Sequence, residues 1–172
     1  MTSKSRKTMR YSRAFTLIEL MVTLAILAIL LGIAAPSFRE AIQNSRTQTI
    51  TNSLVSALQF ARSEAIKRGT GVDICRRNTD GTACEDNTTW QSGWLVKLNG
   101  AGGNVLRVWD ATNNKDSVTG PAETLTYRSD GMLTKAPDDG FVVAFTSCTG
   151  KPIYTITLTA TGRASSAKGT CP

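Results

Sequence analysis

Hydrophobic and polar positions divide the chain into three regimes. From Phe15 to Ala35 almost every position is apolar, and the carboxylate of Glu19 interrupts the run near its start. At 1.5 Å per residue these 21 residues make roughly 31 Å of helix, close to the hydrocarbon thickness of a bilayer. Beyond Pro36 the pattern becomes amphipathic, with Phe38, Ile42, Leu54, Leu58, Ala61 and Ala65 at helical spacing and Arg39, Gln43, Arg46, Arg62 and Lys67 on other faces. This predicts a helix ending near Arg68, with Gly69 as its C-terminal cap. Continuous from Phe15, it would measure ~80 Å. Pro36 removes one backbone hydrogen bond, so a kink or loosening is expected there, and the polar stretch Asn44 to Asn52 reads as a weak segment between two halves.

After Gly69 the period changes to that of strands. The runs are "GVDICRR", "GWLVKLN", "NVLRVWD", "ETLTYRS", "GFVVAFTS" and "IYTITLTATG", separated by Asn99-Gly100, Gly102-Gly103, Asn113-Asn114, Asp130-Gly131 and Asp139-Gly140. An antiparallel sheet of five to seven strands follows, packed on the stripe of Leu54, Leu58, Ala61 and Ala65. The fold class is therefore α+β. Its expected segments are a basic leader (1–14), a transmembrane or polymerisation helix (15–36), an amphipathic helix (37–68) and a β-domain (69–172).

Charge sharpens the N-terminal reading. The formal net charge is +7, but Lys4, Arg6, Lys7, Arg10 and Arg13 all precede Ala14, leaving 15 basic against 13 acidic residues in the remainder. Such a flank keeps the N-terminal side cytoplasmic and sends everything after Pro36 across the inner membrane. A secretory signal places its small cleavage residue after the apolar run. Here Ala14 precedes the run, so a cut between Ala14 and Phe15 would keep the apolar segment on the mature chain.

The chain contains no histidine, which excludes His-dependent triads, and no phosphate-binding or dinucleotide fingerprint occurs. "GAGG" at 100–103 reads as a hairpin turn, and Asp80, Glu85-Asp86 and Asp138-Asp139 read as solvated turns without calcium-loop spacing. Cys75, Cys84, Cys148 and Cys171 lack zinc spacing. Behind a membrane-targeting segment, an even count points to disulfides. Three pairings are open, and proximity favours Cys75 with Cys84, which leaves Cys148 with Cys171. No metal, cofactor or catalytic group is expected.

The stretch "AFTLIELMVTLAILAILLGIAAPSF" resembles the class III signal of type IV pilins and type II secretion pseudopilins. "ALQFARSEAIKRGTGVDIC", "WQSGWLVKLN" and the late "TGR" are similar to the H-type pseudopilin and FimT/FimU minor-pilin branch. The resemblance implies cleavage by a prepilin peptidase between Ala14 and Phe15, although Ala14 stands where the family usually has Gly. It further implies N-methylation of Phe15 and pairing of Glu19 with the new amine of a neighbouring subunit. Other minor pilins, the major pilin and an inner-membrane assembly platform are the implied partners. Some FimT-type pilins bind DNA through Gly-Arg-x-Arg; here Gly162-Arg163-Ala164-Ser165 keeps the first arginine, and Arg163 with Lys168 on a C-terminal loop is the DNA-binding candidate. The functions implied are a minor type IV pilin, an H-type pseudopilin, or a DNA-binding minor pilin.

Overall fold

A computed structural model describes residues 15–100 and 102–171, with Pro36 described by its backbone alone. The chain falls into two units that meet between Ala41 and Ile42. Helix α1, Leu17–Arg68, contributes to both, and the helical assignment runs through Pro36.

The first unit begins with a cap. The Thr16 hydroxyl accepts a hydrogen bond from the Glu19 backbone N–H at 3.3 Å, and the Thr16 carbonyl accepts from Leu20 N–H. Thr16 and Glu19 thus occupy the first and last positions of a Thr-x-x-Glu capping sequence, in which the N-cap oxygen satisfies one orphan amide of the first turn. From there the apolar side chains find no partners: exposure is 80% at Phe15 and still 72% at Ile33. The helix is long and apolar enough to cross a membrane.

In the second unit α1 presents a buried face of Thr47, Ile50, Thr51, Leu54, Ala57, Leu58, Ala61 and Ala65. Two parts of the sequence reading change here. Phe38 and Ile42, placed on this stripe by spacing, are exposed. Conversely, the polar stretch 44–52 is not weak, because its threonines extend the core face toward the N-terminus. Thr47 donates its hydroxyl to the Gln43 carbonyl at 3.0 Å and Thr51 to the Thr47 carbonyl at 2.8 Å. Hidden in this way, the hydroxyl costs little and the methyl packs as a hydrocarbon. The helix ends in a Schellman motif: Gly69 takes φ +64°, Thr70 N–H bonds to the Ala65 carbonyl and Gly69 N–H to that of Ile66.

Eight strands follow: β1 Val72–Arg76, β2 Trp94–Leu98, β3 Val105–Trp109, β4 Asp116–Thr119, β5 Leu125–Tyr127, β6 Phe141–Phe145, β7 Pro152–Leu158 and β8 Ala164–Thr170. They form two antiparallel sheets of four, ordered β3-β2-β1-β5 and β4-β6-β7-β8, where one sheet was expected. Twist explains the division. At roughly 20–25° per strand pair, an eight-stranded sheet would rotate its outer strands off the helix, whereas two shorter sheets keep both inner faces on it. Val72, Ile74, Val96 and Tyr127 from the first sheet and Val118, Phe141, Val143 and Ile156 from the second share one core with α1. Trp90 closes the seam, its indole N–H donating to the Pro121 carbonyl at 2.9 Å and its ring meeting Phe141 edge-on at 4.8 Å. Buried Asp73 ties the first sheet together by accepting from Asn99 at 2.8 Å and from Thr126 at 2.7 Å.

Tyr127 is fully buried, and its hydroxyl has no hydrogen-bond partner among the described residues. Burial, opposed by the charge of Arg62, pushes the phenol up to about 12. With the folded value above the unfolded one near 10, the proton is held more tightly in the folded state. Stability is then fully present below pH ~10 and falls by about 2–3 kcal/mol as pH rises toward 12. Urea midpoints of the chain in detergent should drop over that window, and Tyr127→Phe should flatten the drop. Parallel curves for the two proteins would contradict it.

Candidate functional site

The residues singled out in the sequence fall into three places. The first is the start of α1. Phe15 is exposed at the head of the apolar segment, and Glu19 lies in the first turn, where its backbone is capped by Thr16 and a carboxylate is favoured by the helix dipole. Ala14 lies outside the described residues. A carboxylate with an otherwise apolar, unpartnered helix around it is a group that needs a cation from elsewhere. Sequence reasoning missed the cap, although "TLIE" carries its signal.

The second place is the pair of disulfides. Cys75 in β1 is joined to Cys84 across a loop of nine residues' separation, with Cα atoms 5.5 Å apart. Cys148 is joined to Cys171, Cα atoms 5.7 Å apart, and ties the end of the chain to the β6–β7 connection. Backbone bonds from Gly150 N–H to the Cys171 carbonyl and from Cys171 N–H to the Lys151 carbonyl reinforce that tie.

The third is the C-terminal segment carrying Arg163 and Lys168. It is not a loop: residues 164–170 form β8, paired along its whole length with β7. The segment has no apolar alternation to announce a strand, because β8 is an edge whose side chains are almost all in solvent. Its strand character comes from the β7 ladder and the Cys148–Cys171 clamp. Arg163 precedes the strand and Lys168 faces Tyr154 within it. Five residues of chain, extended from Ala164 onward, separate the two by up to ~17 Å. The structure does not bring them together. Gly162 also has a local explanation, since it takes φ +78° and any side chain there would collide with the Gly131 carbonyl oxygen.

Four basic residues around the end of α1 and the end of β1 are paired with carboxylates. Arg68 lies 2.6 Å from Glu64, and that hydrogen bond holds the Glu64 carboxyl below its usual range. Lys67 approaches the same carboxylate at 3.9 Å, Arg76 lies 2.7 Å from Glu85 and Arg77 3.6 Å from Asp110. An unforeseen pair is Arg46 with Asp116. Arg46 Nε stands 2.9 Å from Oδ2 of a carboxylate whose side chain is 1% exposed, pinning α1 to the start of β4. Spacing placed Arg46 only on a polar face of the helix, and Asp116 belongs to no periodic pattern, so no sequence signal announced the pair.

Comparison with known proteins bears on these features together. The family described as type II transport protein GspH matches residues 51–162, and the prokaryotic N-terminal methylation motif matches residues 9–35. The chain belongs to the GspH family. Members of this pilin family are structural proteins and not enzymes. Among similar proteins of this GspH-family chain is prepilin peptidase-dependent protein D of Escherichia coli (strain K12), 29% identical over 140 residues, covering 75% of this chain and 93% of that protein. A fimbrial protein of Pseudomonas aeruginosa is 32% identical over 148 residues, covering 75% and 90%. The fold is that of the type IV minor pilin FimU of Pseudomonas aeruginosa (strain PAO1). One crystal form gives a TM-score of 0.53 at 23% identity over 70% of this chain and 91% of that one, and a second gives 0.55 at 22% identity over 71% and 88%. The methylation motif spans both Ala14 and Phe15 and implies processing by a prepilin peptidase.

Proposed function

We propose that the GspH-family chain is a minor type IV pilin that primes assembly of a pilus and is incorporated into it, at or near the tip. The observation that carries this reading is the first unit: an apolar helix with every described side chain exposed, headed by Phe15 and carrying one carboxylate four residues on. Such a helix is stored in a membrane and buries its surface against copies of the same design. In this reading a prepilin peptidase cuts between Ala14 and Phe15 and the amine of Phe15 is methylated. The second unit, held in the periplasm, selects the neighbouring minor and major pilins. An inner-membrane platform drives the assembly.

A tagged chain restored to a strain lacking its gene tests this. Sheared surface fibres should contain the tagged chain in amounts far below the major pilin, and the deletion strain should display few fibres. Normal fibre numbers without it, together with its absence from the sheared fraction, would overturn the proposal. The name of the matching family favours a second reading, an H-type pseudopilin of a type II secretion system. That reading expects unaltered surface fibres and a loss of protein secretion in the same deletion. DNA binding is the weakest of the three readings, because Arg163 and Lys168 are separated by up to ~17 Å of chain and Ser165 stands where the motif would have its second arginine.

A further inference from the structure

One end of the second sheet gathers cations where the chain enters the second unit. Register places the start of β4, the end of β6, the start of β7 and the end of β8 at this end, through Asp116 opposite Phe145 and Pro152 opposite Thr170. Two contacts fasten it to the first helical turns of the unit: Arg46 with Asp116, and Lys151 Nζ donating to Gln43 Oε1 at 3.1 Å. Lys115 precedes β4 and is exposed, Lys151 precedes β7 with its ammonium 4.9 Å from the Phe145 ring centroid, and exposed Lys168 lies two residues in from the end of β8. Asp116 is buried and balances Arg46, and Asp110 across the adjoining cavity is taken by Arg77. Lys115, Lys151 and Lys168 make no ion pair among the described residues.

We propose that this end of the second unit is a contact surface for anionic lipid headgroups, used while the protein is stored in the membrane. The inference rests on the membrane-anchoring reading of the first unit. Gln43 follows Ala35 by eight residues, so the lysines that the Gln43 end collects are tethered by a short length of chain to the segment that enters the bilayer. An anionic leaflet attracts such lysines by roughly fivefold each in local population, and the attraction dies away over a Debye length of ~8–10 Å. Duplex DNA, the other polyanion considered, finds only Lys168 of its two candidate residues here.

The test uses the full chain in vesicles of phosphatidylcholine alone or with about 30 mol % phosphatidylglycerol, a content chosen to set up a negative surface potential. A membrane-impermeant amine-acetylating ester reports the reactivity of each lysine by peptide mass spectrometry. Lys67, in the last turn of α1 and 24 residues from Gln43, is the control, because ~36 Å of helix, several Debye lengths, separates it from the Gln43 end. Lys115, Lys151 and Lys168 should react at least ~3-fold more slowly in the anionic vesicles, with Lys67 unchanged, and about 0.5 M salt should erase the difference. A K115E/K151E/K168E chain, followed by quenching of a fluorophore near Gln43 by headgroup-labelled lipid, should lose the preference for anionic vesicles. Equal reactivity in both vesicles, or equal slowing of Lys67, would overturn the lipid contact. Failure of the chain to remain with the vesicles in a flotation gradient would instead overturn the anchoring reading on which it stands.

Discussion

Glu19→Val is expected to leave membrane insertion and leader cleavage intact and to remove the chain from sheared fibres. Glu19 lies in the first turn of a helix with no apolar neighbours of its own, and its capping partner Thr16 uses the backbone and not the carboxylate. In the membrane the carboxylate can sit at headgroup level, where the helix dipole favours it. Inside a bundle of such helices it has no water, and the amine freed at Phe15 of a neighbour is in the same position. Leaving one such charge unpaired costs ~2.5–3.5 kcal/mol on insertion scales. At 1.4 kcal/mol per factor of ten, incorporation should fall on the order of 100-fold. Removing one partner of a buried pair is the expensive change, because the other charge stays behind.

Two further variants separate charge from capping. Thr16→Ala removes the cap and should reduce incorporation only modestly, in keeping with the ~1 kcal/mol typical of such caps. Glu19→Asp keeps the charge on a shorter arm and should recover part of what Val loses. Immunoblots of sheared fibres against total membrane protein measure all three. If the Val chain enters fibres normally, or if the Ala chain is as defective, the pairing argument fails.

What was legible in the sequence follows from where the physics is local. The end of α1 could be read because Gly69 has to supply a positive φ at a helix stop. Six strands announced themselves through alternation or β-branched runs ending in turn dipeptides. β4, "DSVT", and β8, "ASSAKGT", did not, because their pairing is supplied by β6 and β7 and by a disulfide. Thr47 and Thr51 misled a reading based on polarity, since a hydroxyl bonded to its own helix behaves as hydrocarbon to its neighbours. In the N-terminal segment the methylation motif and the long apolar helix were both legible, because each is a feature of one contiguous stretch. In the second unit the lysine-rich end and the Arg46–Asp116 pair were invisible: Arg46 and Asp116 lie 70 residues apart on a helix and a strand, and Lys115, Lys151 and Lys168, 17 to 53 residues apart, share one end only through the register of a sheet.

Arg46→Ala is expected to weaken the second unit by more than loss of its partner. The Asp116 side chain is 1% exposed while that of Arg46 is 41% exposed, so the burden of desolvation lies on the carboxylate. Both Asp116 oxygens lack a hydrogen bond of good geometry among the described residues, and the nearby guanidinium is what compensates them. Breaking a buried pair from one side costs ~3–5 kcal/mol; with Arg46 partly in water, about 2–3 kcal/mol is expected. Asp116→Asn leaves Arg46 free to turn into solvent, so its cost should stay below about 1 kcal/mol. Arg46→Met with Asp116→Leu removes both charges and should return most of the loss, as apolar replacements of buried pairs often do. Thermal unfolding of the full chain in detergent should rank them, with Arg46→Ala lower by several degrees, at ~2–4 °C per kcal/mol for a unit of this size. The reverse order would mean that Arg46 is merely a surface residue. The expected order would make it the anchor that holds the β4 end of the second sheet on α1.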